Sequence, residues 1–130
     1  MLNGKDVIMF PTRTRCEEFC NFLKEVRRVN PIRRICLIID NYSVHKSKMV
    51  RKMAEKLNIK LIYLPPYSPD LNPIEFVWKS IKRVISSSQA CNLEELISIV
   101  KDNFIALTHS LSFARNWIWQ FLRDKLNLLC

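Results

Sequence analysis

Glycine is almost missing from this sequence, with one in 130 residues. A chain so poor in glycine, 48% hydrophobic and 25% charged, reads as a globular protein rich in regular structure, and excludes the disordered and low-complexity classes. Paired cysteines are missing as well. Cys16, Cys20, Cys36, Cys91 and Cys130 are scattered, odd in number and form no CxxC. Cys16 and Cys20 would share a helix face, so half of a metal site is one reading; reduced thiols used as small core hydrophobes are the other. No basic-then-apolar leader opens the chain. The longest apolar stretches, Ile35–Ile39 and Leu61–Leu64, are far too short to span a bilayer, so a soluble intracellular protein is expected. Acidic residues are in short supply: 12 Asp+Glu face 21 Lys+Arg, a formal charge of +9. That surplus makes a polyanion the expected partner class, nucleic acid first and an anionic membrane surface second.

The length suits one domain with a single core, and neither an internal repeat nor a dividing linker is visible. Strands and helices alternate. Val7–Phe10 is a short apolar run stopped by Pro11 and reads as a strand. Thr14–Val29 has apolar residues at helical spacing. Ile35–Ile39 is a continuous apolar run and reads as a central strand covered on both faces. Ser47–Leu57 is helix-like and Ile59–Leu64 strand-like, before the turn Pro65-Pro66-Tyr67-Ser68-Pro69. Pro73–Ile85 predicts a helix whose apolar face is Ile74, Val77, Trp78, Ile81, Val84 and Ile85, broken by Ser86-Ser87-Ser88. Two further helices are predicted, roughly over Leu93–Leu107 and Ser112–Leu126. This order argues for an α/β sheet with a parallel pair.

Two acids stand where chemistry is expected. Asp40 ends the ICLIID run, and strand carboxyl ends are where open α/β sheets bind ligands. A turn residue capping the next segment is the other reading, with Asn41 and Ser43 beside it. Glu75 sits at the start of the strong helix, where Asn72, Pro73 and Glu75 fit a capping box. Its helix face continues through Lys79, Lys82 and Arg83, an acid followed by a basic stripe. That stripe suits a metal-bound phosphate with its backbone trailing along the helix; a solvated face with an i,i+4 Glu–Lys pair is the alternative. Between the acids lie 34 residues holding a helix, a strand and a turn. A right-handed crossover followed by the proline turn would bring the helix start back toward Asp40. Carboxylates held close together need a cation, and oxygen donors select magnesium or manganese.

The run Ile38-Ile39-Asp40-Asn41-Tyr42-Ser43-Val44-His45-Lys46-Ser47, followed by Tyr63-Leu64-Pro65-Pro66-Tyr67-Ser68-Pro69-Asp70-Leu71-Asn72-Pro73-Ile74-Glu75 and then Trp78 and Lys82, resembles the DDE-superfamily transposases. Within them it is most similar to the mariner-like group and to related insertion-sequence transposases. The clear match covers Ile35–Arg83. The resemblance implies an α/β, RNase H-like mixed sheet flanked by helices, here without its first two strands. It makes residues 1–130 a partial catalytic domain with a C-terminal helix over 108–130. It also implies two-metal phosphoryl transfer on DNA with Mg²⁺ or Mn²⁺: water is activated to nick the element's end, and the freed 3′-hydroxyl then attacks target DNA. No covalent protein intermediate is required, so the lack of a Ser or Tyr nucleophile motif is no objection. Asp40 and Glu75 match the second and third acids, as catalytic residues and metal ligands. Lys46, Lys79, Lys82 and Arg83 are the expected DNA contacts. The partners implied are DNA, further copies of the chain on DNA, and no membrane, in a prokaryotic cytosol.

The departure from the pattern is the first acid, which belongs on an earlier strand. Asp6 matches no catalytic position, and no helix-turn-helix precedes the matched region. The expectation is a domain inactive until an upstream segment or second polypeptide supplies that Asp and the DNA-recognition module. The alternative is a catalytically dead remnant acting as a basic nucleic-acid-binding or interaction protein. His45 belongs to the pattern and either orients the acid, touches substrate or is a structural histidine. Tyr67 either stacks on a base or packs against the helix start. Trp117 and Trp119 belong to a broadly buried terminal helix, or one of them faces a partner.

Overall fold

A computed structural model of the chain describes residues 5–67 and 72–109. Contacts divide the chain into two compact units, one over Gly4–Asn72 and one containing Pro73–Cys130.

The first unit runs α1 (Cys16–Val29), β1 (Ile35–Ile39), a single 3₁₀ turn (Ser43–Lys46), α2 (Lys48–Lys56) and β2 (Ile59–Tyr63). β1 and β2 pair in parallel, from Ile35 opposite Ile59 to Ile39 opposite Tyr63. Parallel neighbours cannot be joined by a hairpin, and α2 is the crossover that joins these. Each element has a local cause. α1 carries Glu17 and Glu18 in its first turn and Arg27 and Arg28 in its last, matching the helix dipole at both ends. α2 starts at Ser47, whose hydroxyl accepts from the Val50 amide at 3.2 Å. It stops where Asn58 takes φ 52°, a left-handed position that asparagine tolerates better than most residues.

The core is built from Cys20 and Leu23 of α1, Val50 and Ala54 of α2 and Ile59 of β2, with Ile35, Leu37 and Leu61 packed against them. Complete burial of Leu23 and of Val50 contributes about 1.5–3 kcal/mol each. Burial also pushes the Cys20 thiol upward, so it stays protonated and serves as a small hydrophobe. Among the described residues no group of three or more His, Cys, Asp or Glu side chains is placed to hold a metal ion.

The sequence expectation fails at two places in this unit. Val7–Phe10 is not a strand, because it joins no ladder among the described residues; Asn30 instead ties residue 5 to the end of α1. The Asn30 amide accepts from the Lys5 N–H at 2.7 Å and donates to the Lys5 and Val26 carbonyls at 3.0 and 3.1 Å. The two faces of β1 are also covered unequally. Ile35 and Leu37 pack against the core and Ile39 is buried, while on the other face Ile38 is half-buried and Cys36 exposed, a distinction that a continuous apolar run does not encode.

The second unit holds α3 (Pro73–Ser87) and α4 (Leu93–His109). Val77 and Ile81 of α3 and Phe104 of α4 are buried, and the Trp78 and Phe104 rings lie 6.4 Å apart. Val84, expected on the apolar face, is exposed. The serine run ends α3 by turning hydroxyls onto its carbonyls: Ser86 donates to Arg83, Ser87 to Val84 and Ser88 to Ile85, at 2.8–2.9 Å. Asn92 caps α4 by accepting from the Glu95 amide at 2.8 Å, and Glu95 reaches back to the Cys91 amide at 2.9 Å. The predicted helix Ser112–Leu126, Trp117 and Trp119 lie outside the described residues. No described helix is long and apolar enough to cross a membrane.

Arg27 joins three parts of the first unit. Its Nε donates to the Leu57 carbonyl at 2.8 Å and one terminal nitrogen to Asn58 at 2.7 Å, while the other donates to Asn30 at 3.1 Å and Arg33 at 2.8 Å. A planar five-donor fork can do this and a point-like ammonium cannot. Arg27→Lys therefore lowers unfolding stability by about 1–3 kcal/mol, read as a reduced urea midpoint at unchanged slope. A midpoint equal to the wild type rules the clamp out as a source of stability.

Candidate active site

Leu64, the residue after β2, fixes the carboxyl end of the sheet. Its amide donates to the Ile39 carbonyl at 2.8 Å, and its carbonyl accepts from the Asn41 side-chain amide at 2.6 Å. Asp40 is held between these two bonds at the tip of β1. It is exposed, and its Oδ1 accepts from the Tyr42 amide at 3.1 Å, closing a tight Asx turn.

His45 reaches the same oxygen, with Nδ1 2.7 Å from Asp40 Oδ1. The contrast in exposure is large: the histidine side chain is 16% exposed and the aspartate 57%. The ring is flanked by Phe19 of α1, centroid to centroid 4.2 Å, and meets Tyr42 edge-on at 5.6 Å. From β2, the Tyr63 hydroxyl donates to the His45 carbonyl at 2.9 Å. Tyr42, Phe19 and Tyr63 thus meet at His45, the Tyr42 amide and the His45 ring reach the exposed carboxylate, and its Oδ2 has no hydrogen-bond partner among the described residues.

Lys46 closes the 3₁₀ turn and is exposed. It leads into Lys48, Lys52 and Lys56, an exposed i,i+4 row on α2 that sequence reasoning passed over although its spacing was legible. In the second unit Glu75 stands in the first turn of α3, exposed, followed by exposed Lys79, Lys82 and Arg83. The structure thus brings Asp40, His45 and Lys46 together in one unit, and places Glu75 and the basic stripe on one helix of the other. The Tyr67 side chain is fully exposed and its φ is 54°. Sequence reasoning also missed Asn41, Tyr63 and Phe19 as the groups that set the site. The signal for Tyr63 was its place at the head of the motif run, two residues before the double proline. An open groove of about 530 Å³ between residues 6–9 and α1 contains none of these residues.

A parallel strand pair with an acid at its carboxyl end and a helical crossover fits part of an RNase H-like α/β fold. The chain shares that fold with the crystal structure of the Mos1 strand transfer complex, at TM-score 0.64 and 23% identity, over 72% of this chain and 29% of that one. Residues 2–97 match the DDE superfamily endonuclease family, and the chain belongs to it. It is 32% identical over 76 residues to the insertion element IS630 uncharacterized 39 kDa protein of Shigella sonnei, covering 57% of this chain and 22% of that protein. It is 31% identical over 71 residues to the transposable element Tcb2 transposase of Caenorhabditis briggsae, covering 55% of this chain and 26% of the transposase. The chain thus spans about a quarter of the length of these curated relatives.

Asn41 is the most sharply testable of the new site residues. Asn41→Ala leaves the Leu64 carbonyl unpaired and lowers stability by about 1–3 kcal/mol. Asn41→Asp lowers it further, because an acceptor then faces the carbonyl and a second charge adjoins Asp40. Thermal melts of the two variants check the order; an Asp variant as stable as wild type contradicts it.

Proposed function

We propose that the chain is the C-terminal part of a transposase catalytic domain performing metal-dependent DNA cleavage and strand transfer, with Asp40 and Glu75 as two of its three acids. The observation that carries this reading is the Asp40 carboxylate at a strand end. One of its oxygens is held by two donors, while the other has no hydrogen-bond partner among the described residues. Membership of the DDE superfamily endonucleases supports it, because the matched segment contains both acids. Two exposed carboxylates offer hard oxygen donors, which fit Mg²⁺ or Mn²⁺.

Bound at these oxygens, such a cation supplies Lewis-acid activation of water or a 3′-hydroxyl and stabilises the leaving oxygen. The chain's own residues bind and orient. Asp40 presents Oδ2 from a rigid strand end. Glu75 presents its carboxylate from the first turn of α3, where the helix dipole favours negative charge. Lys46, Lys79, Lys82 and Arg83 pair with backbone phosphates and hold the strand in register.

The first acid of the family pattern has no matched position here. In this proposal an upstream segment, on the same or a second polypeptide, supplies it together with a helix-turn-helix, and the whole works as an oligomer on DNA. Two acids without the bridging one support little hydrolysis on their own.

In the complemented assembly, Asp40→Ala and Glu75→Ala each lower magnesium-dependent nicking by about a thousandfold, equivalent to roughly 4 kcal/mol of transition-state stabilisation. Nicking unchanged by both substitutions would falsify the assignment; DNA binding without any nicking favours the remnant reading. Replacing Lys79, Lys82 and Arg83 together by Ala flattens the dependence of log K on log salt by about 0.9 for each phosphate that is no longer neutralised. An unaltered slope removes the stripe from the DNA interface.

A further inference from the structure

His45 is one of the two groups that hold Asp40 Oδ1, and its ring makes the shorter of the two contacts. We infer that His45 is a positioning residue for Asp40, its Nδ1–H fixing Oδ1 so that Oδ2 faces a divalent cation. The inference rests on the metal reading of Asp40 and adds to it the group that sets the carboxylate's orientation.

A carboxylate on a single Cβ turns freely unless one oxygen is tethered. The Tyr42 amide tethers Oδ1 at 3.1 Å, and one bond to one oxygen leaves rotation about it open. The histidine contact at 2.7 Å is the shorter restraint and arrives from a side chain that cannot itself wander. Phe19 lies against the ring at 4.2 Å and Tyr42 meets it edge-on. Tyr63 holds the backbone of the same residue through its carbonyl. An exposed ion pair serving only as loop glue contributes little and needs no such enclosure. An enclosed donor on an exposed acceptor is instead the arrangement by which outer groups orient metal ligands. The Nδ1–H donor is carried by the imidazolium and by the Nδ1-protonated neutral tautomer, the form that a contact to a carboxylate favours.

Asparagine and glutamine separate this role from packing. The Asn Nδ2 falls near the position of imidazole Nδ1, whereas the Gln amide reaches toward the position of Nε2. The full chain, isotopically labelled, is titrated with Mn²⁺ while paramagnetic broadening of the Asp40 and Tyr42 amide signals is followed. Wild-type protein shows broadening centred on Asp40, and Asp40→Ala abolishes it. His45→Phe, which keeps a ring but no donor, weakens the site-specific affinity by about tenfold. His45→Asn stays within about threefold of wild type, and His45→Gln behaves like His45→Phe. Equal affinity in wild type, His45→Phe and His45→Gln overturns the inference while leaving the metal reading intact. Absence of any site-specific broadening in the wild type overturns both. Should His45→Phe fail to fold, the Asn and Gln variants decide alone: equal affinity refutes the positioning role, and a several-fold gap in favour of Asn supports it.

Discussion

The junction of Ile39, Asn41 and Leu64 is the constraint from which the geometry of the first unit follows. Two parallel strands share no turn, so their carboxyl ends coincide only if the crossover is the right length and something locks the exit. The Leu64 amide extends the ladder by one bond beyond Tyr63, and the Asn41 side chain bonds in turn to the Leu64 carbonyl. Each bond contributes only about 1 kcal/mol net. Their effect is geometric: Asp40 lies between the two anchored residues, so its backbone inherits the rigidity of the sheet although its side chain reaches water. A carboxylate on a mobile loop would have to be ordered each time a ligand arrived.

Around that anchor the unit separates holding from presenting. The groups that hold are enclosed or half-enclosed: His45, Phe19, Tyr63 and Asn41. The group that presents, Asp40, is exposed. Apolar packing supplies the fixed frame in which a polar contact acquires direction, because close-packed side chains hold their rotamers. The aromatic Phe19 shows the economy of this. It belongs to α1 and packs beside the core, yet its other face lies against the His45 ring. One helix therefore serves both stability and the site.

Much of this was legible in the sequence because it depends on local periodicity. The bounds of β1, and to within two residues those of β2, α3 and α4, follow from apolar spacing, proline stops and the serine run, and Asp40 was marked by its place after five apolar residues. What failed depends on who the neighbour is. Val7–Phe10 has strand composition, but a strand is a pairing, and composition names no partner. Cys36 lies in an unbroken apolar run, and only the packing of α1 and α2 shows which face is covered. Asn41 and Tyr63 act through carbonyls 23 and 18 residues away in sequence, a distance that no short window spans. Glycine scarcity had a further outcome: among the described residues the left-handed positions fall to Asn58 and Tyr67. Asparagine adopts that region readily; a tyrosine held there costs about 1–2 kcal/mol.

The Arg27 clamp bears on how the unit comes apart. By bonding the end of α1, the loop at 30–33 and the turn between α2 and β2, one guanidinium makes three segments share a single fate. Segments tied in this way exchange their amide hydrogens together, in one opening event, and do not fray one by one. The slowly exchanging set should then extend from the core helices through β2, whose far end carries the Leu64 junction. The geometry around Asp40 would persist for as long as the whole unit stays closed.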